Sequence, residues 1–83
     1  MLLLCPMSLK SSFGINLQRI RRGQGMSQEE LAAKAGLARA YLSGAEAGRR
    51  NATLETVEAL ANVLGVDPID LLKKHPSTQD NMP

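Results

Sequence analysis

The sequence predicts an all-α fold, a compact domain of five helices, and three observations predict it. The residues able to build a core are almost all Leu, Ile, Val, Ala and Met, with one Tyr, one Phe and no Trp. That composition favours packed helices over a sandwich or barrel, whose strands draw on aromatic and β-branched side chains. Apolar residues recur at spacings of three and four, the period of one helix face. Each such stretch also lies between a start signal and a stop signal. Eighty-three residues make one domain, at a size where a partner subunit often completes the core.

The first helix is expected from about Ser12 to Arg22, with Phe13, Leu17 and Ile20 on its inner face, ending in the Gly23-Gln24-Gly25 breaker. The second opens at Ser27. Glu30 follows three residues later, so the hydroxyl can cap one free N–H while the carboxylate reaches back to another. Its end near Lys34 is followed by Gly36, where a short turn needs positive φ. The third runs from about Ala38 to Ala47 and stops at Gly48. The fourth begins after Thr53, carries Leu54, Val57, Leu60, Ala61 and Leu64 on one face, and stops at Gly65. The fifth takes Asp67 as cap and Pro68 at its first position, where the missing N–H costs nothing. It carries Ile69, Leu71 and Leu72. Residues 1–11 then form an N-terminal extension, 12–72 the domain, and 73–83 a polar tail with two prolines that reads as disordered.

Cys5 has no partner for a disulfide or a zinc site, which fits a reducing compartment and makes the cytoplasm the expected location. The opening MLLLCPM lacks a basic front and is far shorter than the roughly 20 residues of a membrane span. It is expected to be neither signal peptide nor anchor. Translation from Met7 would account for it, as would Leu2 to Leu4 covering an apolar surface. The net charge of +2 says little, but its distribution is uneven. Arg19 to Arg50 holds seven bases against three acids, whereas Asn51 to Leu72 holds four acids and no base. A chain polarised this way can turn one positive face to a polyanion; solvated helix faces would give the same pattern.

The informative stretch is SQEELAAKAGLARAYLSGAEAG, Ser27 to Gly48. Two helices crossing steeply through a short turn need a small residue where they touch, a glycine in the turn and apolar residues on the facing sides. Ala32 supplies the first, Gly36 the second, and Leu31, Ala35, Leu37, Leu42 and Ala45 the third. With its inner face so occupied, the second helix of the pair is expected to expose Arg39, Ala40, Ser43 and Gly44. Short or basic side chains there suit a helix entering the major groove of double-stranded DNA.

From FGINLQRIR through GMSQEELA and YLSGAEAGRRN to TLETVEALANVLGVDP, roughly Phe13 to Leu72, the chain resembles the Xre/Cro-type helix-turn-helix family of phage-repressor-like regulators. RAYLSG, Glu46 and Arg50-Asn51 are most similar to the controller proteins of restriction-modification systems, which are short stand-alone dimers. The resemblance implies a transcription regulator that binds a palindromic or pseudo-palindromic operator as a dimer. Arg39, Ala40, Ser43 and Gly44 would be its base-contacting residues, with Arg39 pairing guanine and Gly44 allowing close approach. Gln28, Tyr41, Arg49, Arg50 and Asn51 would hold phosphates. Glu46 would pair with Arg21 in a structural role. Val66, just ahead of the short fifth helix, and Ile69 and Leu72 on it are the candidates for the dimer interface.

Three positions depart from the family pattern. Ala38 stands where Ser, Thr or Asp usually caps the recognition helix, Ala45 where a large apolar residue usually fills the space between helices, and Ala52 where proline is frequent. None removes a proposed DNA contact. Catalysis is disfavoured: the chain has no Ser/His/Asp or Cys/His set, no metal cluster and no phosphate loop after a strand. No metal, cofactor, small-molecule ligand or membrane partner is expected, and His75 in the tail is expected to be neither ligand nor catalyst. The alternative reading is an antitoxin or another protein-interaction module on the same fold.

Overall fold

A computed structural model describes residues 8–74. Among these the chain forms five helices and no strand: α1 Leu9–Gly23, α2 Gln28–Ala35, α3 Arg39–Glu46, α4 Leu54–Leu64 and α5 Pro68–Leu72. Expectations for residues 1–7, and for residues 75–83 including His75, lie outside the described residues. None of the described helices is long and apolar enough to cross a membrane.

Local chemistry sets most of the helix ends. Ser27 Oγ accepts from the Glu30 N–H at 3.0 Å while Glu30 Oε1 accepts from the Ser27 N–H at 3.1 Å, a complete capping box. Thr53 caps α4 through the Thr56 N–H, and Asp67 caps α5 ahead of Pro68. Gly36 closes α2 at φ 73°, a left-handed conformation that a β-carbon would strain. The Leu37 N–H then reaches the Ala32 carbonyl, satisfying an acceptor the helix end leaves open.

One boundary moves. α1 begins at Leu9 rather than Ser12, because Ser8 Oγ accepts from the Ser11 N–H at 3.1 Å and adds nearly a turn ahead of the apolar stripe. Periodicity alone could not see that turn, since Ser8, Leu9 and Lys10 are exposed. The other end of the domain shifts as well: Lys73, placed in the tail by composition, is tied to the body through its carbonyl, which accepts from Asn16 Nδ2 at 2.6 Å.

α1 packs on α3 and α5, α4 packs on α2 and α5, and α2 packs on α3. The core holds Phe13, Leu17, Leu31, Ala32, Leu42, Ala45, Val57, Leu60, Ala61, Leu64 and Leu71, with Ile20, Met26, Ala35 and Leu37 packed around it. Two buried or half-buried polar contacts close helix ends from afar. Asn16 also donates to the Leu71 carbonyl at 3.0 Å, and Gln24 Nε2 donates to the Leu64 carbonyl at 2.7 Å. Both satisfy C-terminal carbonyls that would otherwise be orphaned.

Candidate nucleic-acid interface

α3 turns its inner side to α1 and α2, burying Leu42, Ala45 and Glu46. The crossing with α1 is close. A β-carbon on Gly14 would collide with the carbonyl oxygens of Ala45 and Glu46, the latter at 2.7 Å. Ala45 is fully buried in this tight crossing, so a small residue stands where the two backbones leave little room.

The crossing is held by charge. Arg21 Nε donates to Glu46 Oε2 at 2.6 Å and Nη2 to Glu46 Oε1 at 2.9 Å, a two-pronged pair with side-chain exposures of 8% and 2%. Arg21 Nη1 donates to the Met26 carbonyl at 2.7 Å, and Gln28 Nε2 to Glu46 Oε1 at 3.0 Å. Burial pushes the Glu46 carboxyl up, but hydrogen bonds from Arg21 and Gln28, with the charges of Arg21 and Arg22, outweigh it, and its pKa falls below the ordinary carboxylate value. The same hydrogen bond raises the Arg21 guanidinium against the opposing effect of burial. Gln28 is thus half-buried with one amide N–H given to Glu46, and the amide has a second N–H to donate.

The outer side of α3 begins with Arg39 and Ala40, both exposed, and continues to half-buried Ser43. Ala38 makes no side-chain cap bond at its start. Gly44 is a correction: expected on the exposed face, it is buried, because Arg50 lies across it. The helix end explains how. Gly48, at φ 79°, reverses the chain, and the Arg49 N–H bonds the Gly44 carbonyl at 2.9 Å. Residues 49–51 then run back beside α3, with all three exposed.

Tyr41 is half-buried in the same cluster. Its hydroxyl donates to the Asn51 carbonyl at 2.6 Å, and the Arg50 guanidinium carbon lies 5.9 Å from its ring centre, within cation–π range. Arg50, Tyr41, Gly44 and Asn51 therefore form one packed unit, a grouping that sequence spacing did not suggest.

The three residues expected at a dimer interface are not gathered into one depression. Val66 is half-buried in a cleft with Asn16, Arg19 and Ile20, while Leu72 lines an open apolar groove of about 480 Å3 with Leu9, Phe13, Leu54 and Val57. Ile69 is 63% exposed. Leu9 and Leu54, at 64% and 82%, are exposed apolar residues that periodicity had assigned to no surface or to the core face.

Known proteins place this architecture. The helix-turn-helix family profile matches residues 17–71. Control protein C.BamHI of Bacillus amyloliquefaciens is 41% identical over 66 residues, which span 78% of this chain and 82% of that protein. The crystal structure of the restriction-modification controller protein C.AhdI from Aeromonas hydrophila superposes with a TM-score of 0.73 at 40% identity, covering 75% of this chain and 94% of that one. The master regulator for biofilm formation SinR, solved in complex with DNA, gives 0.71 at 35% identity, covering 74% of this chain and 98% of that one. With its profile match, its five-helix order and its likeness to these regulators, the chain belongs to the Xre/Cro-like helix-turn-helix family.

Proposed function

We propose that the chain is a sequence-specific, DNA-binding transcription regulator of the controller-protein kind, acting in the cytoplasm as a homodimer on a pseudo-palindromic operator. The observation that carries this reading is the outer side of α3: Arg39, Ala40 and Ser43 lie along it, and exposed Arg49, Arg50 and Asn51 return beside it. α3 enters the major groove, where Arg39 takes guanine O6 and N7 and Ala40 meets a thymine methyl. Ser43 reaches a base edge or phosphate. Arg49, Arg50, Asn51 and the second amide N–H of Gln28 hold phosphates, and Tyr41 supports them from beneath Arg50. Gly44, covered by Arg50, touches no base. The dimer forms through α5, centred on exposed Ile69, with Val66 and Leu72 at its flanks.

Selection of bound duplexes from a random library tests this directly. A two-fold consensus whose half-sites lie about one helical turn apart is the expected result. Recovery of no preferred sequence, or of one without two-fold symmetry, would overturn it. Binding should also weaken steeply with salt, each lost arginine–phosphate contact lowering the log–log slope by about 1.

A further inference from the structure

Gly44 is an anomaly on its own helix. Glycine is the poorest helix former short of proline, yet it stands inside the eight-residue α3. Its φ is not in the left-handed region that would require it. Backbone conformation therefore does not call for glycine here. Space does: a β-carbon would sit 2.7 Å from Arg50 Cγ and 3.2 Å from Arg50 Nε. The obstruction is a side chain, not the backbone, so a larger residue could fold but would evict Arg50.

We propose that Gly44 is a positioning residue: the missing side chain makes a seat on α3 for the Arg50 stem, which holds the guanidinium over Tyr41 and ready for DNA before DNA arrives. Three contacts build the seat. The Arg49 N–H to Gly44 carbonyl bond folds the chain back, the bare Gly44 surface receives the stem, and the Tyr41 ring lies 5.9 Å beneath the guanidinium carbon while its hydroxyl anchors the Asn51 carbonyl. An arginine on a free loop loses much rotamer entropy when it grips a phosphate; a seated one has lost it already. The proposal rests on the DNA-binding reading for its purpose, but the seat itself is a property of the free protein.

The test is a cycle of Gly44→Ala, Arg50→Ala and the double variant. Each is measured for binding to a duplex carrying the selected consensus and, without DNA, for acrylamide quenching of tyrosine fluorescence. Tyr41 is the only tyrosine and there is no tryptophan, so the emission reports on that ring alone. Gly44→Ala should raise quenching and weaken binding roughly tenfold, the scale of one charge-assisted contact. In the Arg50→Ala background it should change neither. Its melting temperature should hold or rise, because alanine suits a helix interior better.

An equal loss of affinity from Gly44→Ala in both backgrounds would overturn the proposal, since the β-carbon would then act on DNA or on the fold directly. Unchanged quenching with Arg50 present would overturn it too. If the unaltered chain binds no duplex, the DNA-binding reading fails by itself, and the fluorescence cycle still decides whether the seat exists.

Discussion

Arg39 and Arg50 carry the same charge beside the same helix but stand on different supports. Arg39 is exposed in the first turn of α3, whereas Arg50 is laid over Gly44 and Tyr41 on the returning segment. In the proposed function the first reads a base and the second holds a phosphate. Arg39→Ala should lose about 1–3 kcal/mol on the consensus duplex and relax preference at one base pair per half-site. Arg50→Ala should weaken consensus and random duplexes by similar factors, because a phosphate carries no base identity. Titration of both variants against both duplexes separates the roles. If Arg39→Ala weakened both equally or neither, base reading would have to be sought around Tyr41 and Ser43.

At the scale of the element, α3 is the least supported start among the helices, as Ala38 offers no side-chain acceptor while Ser8, Ser27, Thr53 and Asp67 cap the other four. Ala38→Ser should therefore stabilise the domain by about 1 kcal/mol in urea denaturation, with an unchanged m-value. No gain would mean that the α3 N-terminus is already satisfied in solution. Capping also explains which elements were legible in the sequence. Ser27 with Glu30, Asp67 with Pro68 and Gly36 act within a few residues, so reading along the chain finds them. The Asn16 and Gln24 contacts span 55 and 40 residues, and nothing near either side chain announces its partner. Gly14 and Gly44 were illegible for a related reason. Gly14 is required by the backbone of another helix, and Gly44 by a side chain whose path depends on the turn at Gly48. In the candidate site, residue type pointed to a basic, short-side-chained face, but not to which of its members lies beneath another.

For the whole molecule, the Arg21–Glu46–Gln28 network joins α1, α2 and α3 and ties stability to pH. The Glu46 carboxyl is held below its ordinary value in the folded chain, so in acid the unfolded chain binds the proton first. Its contribution is full above about pH 5 and is lost as pH falls through the folded value. Glu46→Gln should cost about 3 kcal/mol at neutral pH, by leaving Arg21 buried without its counter-charge. It should also make the acid loss of stability shallower. The loss will not vanish, because Lys73 holds the Asp70 carboxyl down as well. Urea midpoints across the acid range check both statements, and an unchanged slope would remove Glu46 from the titration. Self-association belongs to this scale too: sedimentation should find a dimer, and Ile69→Lys should give a folded monomer, since the side chain is 63% exposed in one copy. A monomeric unaltered chain well above the concentrations that bind DNA would exclude the dimer. One feature of the architecture also bears on how the chain comes to be made. Asn16 near the beginning grips the carbonyls of Leu71 and Lys73 near the end, and α1 packs directly on α5. The domain is closed like a clasp, its first helix waiting for its last. During synthesis α1 can meet α3 first, but its contacts with Leu71 and Lys73 form only once that segment has left the ribosome, so full protease resistance should come with the step that adds α5.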